Sequence, residues 1–291
     1  MGSNVRAGSS PAWGTIELSR YGVGVFCFMR YFLHIAYDGT HYCGWQRQTS
    51  ALSVQEVIEE TLKKIFKKEI TVWGCGRTDS GVHASQYFLH INLEDNFDFD
   101  LAFRLNKNLP DDIAVYDVLP MQKGQHTRFD ATSRTYDYFI NFYKDPFLKK
   151  YCSEYLLQDL DFEAMQKAAA LIMQFNDFKS ICRQPDLYNN TICDVMHAQL
   201  FISSYKKRMR FTITANRFLR GMVRLCVAFL LKIGERKMSL EEFENMLKGE
   251  IVYPMNVTAL PNGLFLSKVV YPYLDLSEVD GISSSLRIGL E

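Results

Sequence analysis

The sequence predicts an α+β fold of two βαββαβ units in series, each with an antiparallel sheet. Three observations carry that expectation. Apolar residues alternate with period two in some segments and recur every three to four residues in others, which separates strands from helices. The segments follow in the order β-α-β-β-α-β, and that order then repeats loosely. Serine–glutamate pairs three residues apart open two of the helical stretches. With 291 residues, 47% of them hydrophobic, the chain can bury one large core or two moderate ones.

The first unit begins with "RYFLHIAYDG", a strand ending in an Asp-Gly turn. "SVQEVIEETLKKIF" is a helix. Ser53 and Glu56 make a capping box, and Val54, Val57, Ile58, Leu62, Ile65 and Phe66 share one face. "ITVWGCG" and "SQYFLHINL" are strands, the second with Tyr87, Leu89, Ile91 and Leu93 on one face. "LAFRLNKNL" is a short helix stopped by Pro110, and "IAVYDVLP" is a strand. In the second unit "SRTYDYFINFY" is a strand and "DFEAMQKAAALIMQF" a helix. "CDVMHAQLFISSY" and "RMRFTITANRF" are strands joined by a basic turn. "GMVRLCVAFLLKIG" and "SLEEFENMLKG" are helices, the latter opened by Ser239 and Glu242, and "GLFLSKVVYP" is the closing strand. The units divide into residues 29–124 and 125–276. Residues 1–28 read as a disordered or non-native extension ahead of Met29, and 277–291 as a serine-rich tail.

Bulk composition excludes several classes. Net charge is zero, so nothing pulls the whole chain towards nucleic acid or membrane. No apolar run approaches a membrane span. The seven cysteines are scattered without a C-x-x-C, which suits a reducing cytosol better than a disulfide framework or zinc ribbon.

Three features could carry chemistry. The first is "GCGRTDSGVH", residues 74–83, which places Asp79 beside Arg77 in a glycine-flanked loop. Thr-Asp-Ser-Gly is good turn chemistry, and a turn is one reading. A catalytic carboxylate on a loop held between strands is the other. A metal site of Asp79 and His83 is weaker, because no nearby pattern supplies a third ligand. The second feature is a basic block from Lys206 to Lys237 whose one acid is Glu235. Arg217, Arg220 and Arg224 are spaced by three and four, so a helix would stack them as a stripe for phosphates. The alternative is a solvated helix face. The third is "RFDATSRTYDYFI", with Arg128 and Arg134 flanking Tyr136. It reads as a half-buried strand or as an aromatic platform for an unstacked base.

Taken in order, "YDGTHYCGWQRQ", "SVQEVIEETL", "GRTDSGVHA", "NLPDDIAV", "FDATSRTYDYFI", "DFKSIC", "NRFLRGMVR" and "LPNGLFLSKVVYP" resemble the tRNA pseudouridine synthase A family. The resemblance runs over nearly the whole chain from Met29, and "GRTDSGVHA" is its most specific piece. It implies an isomerase that turns uridine into pseudouridine in the anticodon arm of tRNA, without cofactor or catalytic metal. It implies two ferredoxin-like halves around a central RNA-binding cleft, in a cytoplasmic homodimer. By position, Asp79 matches the family's catalytic aspartate, Tyr136 the tyrosine that packs on the target base, and Arg224 the arginine that pairs with the aspartate. Arg77 matches an arginine that helps hold the flipped nucleotide. Arg134, Arg217, Arg220 and His83 are expected among the substrate contacts. The chain departs from the family at Thr135, where an arginine is frequent, and at Gly221, where a histidine is.

The reaction explains the lone carboxylate. Breaking the glycosidic bond, turning the uracil and rejoining it through C5 adds no atom and moves no net electrons. One ionised carboxylate acting on the ribose or the ring is enough, because no external nucleophile enters. A guanidinium beside it favours the charged form, and Arg224 is the candidate. The Tyr136 hydroxyl is expected to help remove the C5 proton.

Overall fold

The structure is a computed structural model, and it describes residues 29–94, 97–252, 258–276, 282–287 and 289–290. The 1–28 extension and residues 277–281 of the tail lie outside the described residues. In chain order the elements are β1 (Met29–Tyr37), α1 (Val54–Phe66), β2 (Trp73–Gly74), β3 (His83–Leu93), α2 (Leu101–Asn108) and β4 (Ile113–Met121). There follow β5 (Ser133–Asn141), β6 (Ser153–Glu154), α3 (Phe162–Ile172), β7 (Val195–Ile202), β8 (Arg208–Ala215), α4 (Met222–Gly234), α5 (Leu240–Leu247), β9 (Leu264–Val270) and α6 (Ile282–Arg287).

The local signals act where the sequence places them. The Ser53 hydroxyl accepts from the Glu56 N–H at the start of α1, and Ser239 with Glu242 forms a complete capping box on α5. The strand expected in "ITVWGCG" shrinks to two residues, because the chain leaves β3 after Gly74 to build the 75–82 loop.

The two expected sheets are one. Strands of the described residues pair in the order β4-β1-β3-β9-β5-β8-β7, with β2 on β3 and β6 on β5. The last strand, β9, lies in the middle. It is parallel to β3 through His83–Phe265 and Ala84–Leu266, and antiparallel to β5 from Ser133–Val270 to Tyr138–Leu264. Fusion removes two edges, each of which would otherwise expose a row of unpaired backbone groups. One core cluster includes Leu33, Ile58, Leu62, Leu89 and Leu105; another includes Met165, Phe211, Leu225, Phe229 and Phe243. Tyr136 packs against both, so it marks the seam between them.

The basic block does not form one stripe. Helix α4 starts at Met222, so Arg217 and Arg220 precede it in irregular backbone instead of stacking above Arg224. Eleven of the thirteen residues of α4 are buried, all except Arg224 and Lys232. A helix that is apolar all round belongs in a core, which pushes its cations to the ends. Lys232 sits in the last turn, about 12 Å along the axis from Arg224 at 1.5 Å per residue, and Arg236 and Lys237 follow the helix. Arg208 and Arg210 lie on β8, alternating with Met209, Phe211 and Ile213 of the core. Their guanidiniums donate to the carbonyls of Leu286 and Leu290.

Those carbonyls belong to the stretch read as a tail. Leu286 and Leu290 are buried with Phe139, Cys152 and Phe265, and Arg287 pairs with the fully buried Asp137 of β5 at 2.7 Å. The spacing of Ile282, Leu286 and Leu290 by four is the signal that could have found this helix. Its six residues give too little periodicity to stand out among serines.

Buried His90 gives the fold a pH dependence. It is 1% exposed, its Nδ1 lies 2.8 Å from the Thr127 hydroxyl, and Trp73 stacks on its ring. Burial pushes its imidazole down to about 3, and Arg30 and His126 act in the same direction. Unfolded, the ring titrates near about 6.5. Between these values the unfolded chain binds more protons, so stability falls as pH drops from about 6.5 towards 3, by up to about 1.4 kcal/mol per unit, and this contribution is flat above. Melting temperatures at pH 7, 5.5 and 4.5 should therefore fall more steeply for the native protein than for His90→Gln. Equal slopes would show that His90 does not carry the effect.

Candidate active site

The loop from Cys75 to Val82 is held from below by aromatic side chains. The Tyr87 hydroxyl donates to the Gly76 carbonyl at 2.6 Å, and the Tyr37 hydroxyl lies 2.9 Å from the Thr78 hydroxyl. The Trp45 backbone N–H donates to the Thr78 carbonyl at 3.2 Å. Gly44, just before it, has φ +82°, and a Cβ there would lie 2.3 Å from the Thr78 oxygen. A side chain at 44 is therefore excluded twice, by conformation and by space. Further along, Gly81 N–H and the Ser80 hydroxyl both donate to the Tyr42 carbonyl. The segment "YDGTHYCGW" is thus the cradle of the 75–82 loop.

On that cradle Asp79 is one-third exposed and faces Arg224 from the first turn of α4. The Arg224 Nη1 lies 3.5 Å from Asp79 Oδ2, across 145 residues of sequence. This is a loose pair, longer than a tight charge-assisted bond. Arg224 is otherwise fixed: its Nε donates to the Ala259 carbonyl at 2.7 Å and its Nη2 to the Thr258 hydroxyl at 3.2 Å. A guanidinium anchored at two points can hold a carboxylate in place while leaving its second oxygen for a ligand.

Tyr136, on β5, completes the group. Its ring meets Phe218 edge-on with centroids 5.0 Å apart, and among the described residues its hydroxyl has no hydrogen-bond partner. Burial pushes the phenol well above its ordinary value; Cys75 and Asp79 add to the rise and Arg134 opposes it. The shift favours the neutral phenol.

A sequence profile of the family described as tRNA pseudouridine synthase matches residues 34–130 and 173–272. The chain belongs to that family. It is 41% identical over 246 residues to tRNA pseudouridine synthase A of Bacteroides fragilis, covering 84% of this chain and 96% of that protein. It is 38% identical over 246 residues to the enzyme of the same name from Porphyromonas gingivalis, covering 84% and 97%. The Picosynechococcus protein of that name is 36% identical over 243 residues, covering 82% of this chain and 88% of its own length.

Against this pseudouridine synthase frame, the other residues expected at the site divide. Arg77 is exposed on the same loop as Asp79, with its Nε on Gln46 Oε1 at 3.1 Å. Arg217 and Arg220 are near the start of α4 and donate to Asn190 and Gln184. Two residues are not placed to contact substrate. His83 is 1% exposed. Its Nδ1 lies 3.0 Å from both Gly39 N and Asp38 Oδ1, and its Nε2 faces the carbonyls of Lys150 and Asn262. With both nitrogens engaged it cannot join Asp79 around a metal or reach RNA; it pins the end of the loop. A cavity of about 180 Å³ beside it, lined by Asp38, Asp112, Tyr116 and Tyr151, includes none of Asp79, Tyr136 and Arg224.

Arg134 is likewise engaged by the protein. Its guanidinium donates to the carbonyls of Ala131, Asn216, Cys75 and Arg128. It ties the entrance of the Asp79 loop to the linker before β5 and to the end of β8. Sequence reasoning missed Thr258, Ala259 and Gln46, which orient the two arginines, and Arg183, which lies across Gly221. Loop residues of this kind carry no periodic signal.

Proposed function

We propose that this protein isomerises uridine to pseudouridine in the anticodon arm of tRNA, at about positions 38 to 40, with Asp79 as the essential carboxylate. The observation that carries this reading is the Arg224–Asp79 pair at 3.5 Å, set on a cradled loop in a chain of the pseudouridine synthase family. The target uridine leaves its stem, at a cost of a few kcal/mol, and phosphate contacts from cations around the loop before α4 offset it. Asp79 acts on the nucleoside as the N1–C1′ bond breaks. The detached uracil turns, C5 bonds to C1′, and the C5 proton is lost as N1 gains one. Atoms and charge balance without a cofactor.

The pairing orders β4-β1-β3-β2 and β9-β5-β8-β7 support reading residues 29–124 and 125–276 as ferredoxin-like halves, with the cleft at their seam. The family resemblance also supports a homodimer acting in the cytoplasm on tRNA. No helix among the described residues is long and apolar enough to cross a membrane.

Release of tritium from C5-labelled uridine in unmodified tRNA, with the product mapped by primer extension, tests the activity. Variants of Tyr136 test the site. Tyr136→Phe keeps the ring and loses the hydroxyl, so it should bind tRNA normally and turn over about a hundredfold slower, the usual worth of a positioned proton donor or acceptor. Tyr136→Ala should in addition lose about 1–3 kcal/mol of stacking on the flipped base. A fully active Phe variant would remove the hydroxyl from the reaction.

A further inference from the structure

The departure at Gly221 has a physical counterpart. Gly221 is the N-cap of α4, with φ +73°. A Cβ built there would lie 2.8 Å from Cδ and 3.0 Å from Cγ of Arg183. The aliphatic stem of Arg183 therefore lies where a side chain at 221 would begin. The Arg183 N–H donates to the Arg220 carbonyl at 2.9 Å, which fixes the two loops against each other. A second tie runs from Arg220 N–H to the Tyr188 hydroxyl, also at 2.9 Å.

The neighbouring arginines each have a partner within the protein. Arg220 donates to Gln184 Oε1 at 2.6 Å, and Arg217 donates to Asn190 Oδ1 and lies 5.8 Å from the Tyr188 ring. Arg224 is bound to Ala259, Thr258 and Asp79. Arg183 is exposed, and among the described residues its guanidinium has no hydrogen-bond or ion-pair partner. Gly221 and Arg224 are three residues apart at the first turn of α4, a spacing that brings positions close together on one side of a helix. Arg183 is thus an uncommitted cation whose stem packs over Gly221, three residues before Arg224.

We propose that Arg183 holds a backbone phosphate of the RNA beside the nucleotide bound at Asp79, and that Gly221 is the residue that leaves room for it. This rests on the reading that the site works on tRNA. A guanidinium suits the task, since it presents a planar fork to phosphate oxygens and stays charged. The packed stem limits the conformations it must give up on binding.

Arg183→Gln keeps the stem over Gly221 and removes the charge; Arg183→Lys keeps the charge. Binding of unmodified tRNA is measured between 50 and 300 mM salt, with single-turnover tritium release on the same proteins. For Arg183→Gln the expected results are about tenfold weaker binding, the worth of one charge-assisted hydrogen bond, and a salt slope shallower by about 0.7 to 0.9. Arg183→Lys should keep the native slope. Gly221→Ala displaces the stem without removing the charge, so it should weaken binding in the native background and add little on top of Arg183→Gln. Native affinity and slope in Arg183→Gln would overturn the proposal. A native protein that bound tRNA and released no tritium would instead overturn the isomerase reading, and the salt slopes would still decide Arg183.

Discussion

Replacing Asp79 by asparagine is expected to abolish pseudouridine formation, lowering turnover by at least about a thousandfold, in the range found when a nucleophile is removed. Asparagine keeps the shape and one acceptor oxygen and loses the charge. The cradle should survive, because the contacts that hold the loop use Thr78, Gly76, Ser80 and Gly81 and not the Asp79 side chain. Melting temperature and tRNA affinity should therefore change little. The Arg224 side chain also stays in place, fixed by Ala259 and Thr258. Turnover falling alone is the signature of a group needed in the transition state and not for binding. Substantial residual tritium release would remove Asp79 from the chemistry, and a large fall in melting temperature would make it a structural residue.

The largest stability effect is expected at Arg287. Its Nη2 lies 2.7 Å from Asp137, whose side chain is fully buried in the centre of the sheet. The Thr212 hydroxyl also donates to that carboxylate, at 2.5 Å. Removing one member of a buried pair strands the other charge, at a cost of about 3–5 kcal/mol. Arg287→Ala should thus lower the melting temperature by roughly 10 °C, at about 2–4 °C per kcal/mol for a chain of this size. Asp137→Asn combined with Arg287→Met removes both charges and should recover much of the loss, with the Thr212 hydroxyl still donating to the amide oxygen. Asp137 lies between Tyr136 and Tyr138 on β5, on the opposite face of the strand, so the single variant should also slow turnover through the position of Tyr136. A melting temperature within a degree of native would show that the docked helix contributes nothing.

The sequence by itself determined the long helices and strands and the loop that carries Asp79. Period-two alternation over 83–93, the stripe from Val54 to Phe66 and the Ser239–Glu242 box are local patterns, and their local causes act in the fold unchanged. The resemblance likewise named Asp79, Tyr136 and Arg224, since ordered motifs survive without knowledge of contacts. Tertiary structure alone decided what lies between distant segments. It placed the last strand, β9, at the middle of one sheet, because pairing with both β3 and β5 satisfies backbone groups that no local pattern describes. It divided the basic block, because α4 had to be buried on every side and β8 alternates its arginines away from the core. It took His83 and Arg134 out of the expected substrate contacts by surrounding them with backbone carbonyls. It also docked α6 through Arg287 and left Arg183 uncommitted over Gly221. A cation's role depends on which acceptors lie within about 3 Å, and many of those acceptors come from residues far away in the chain.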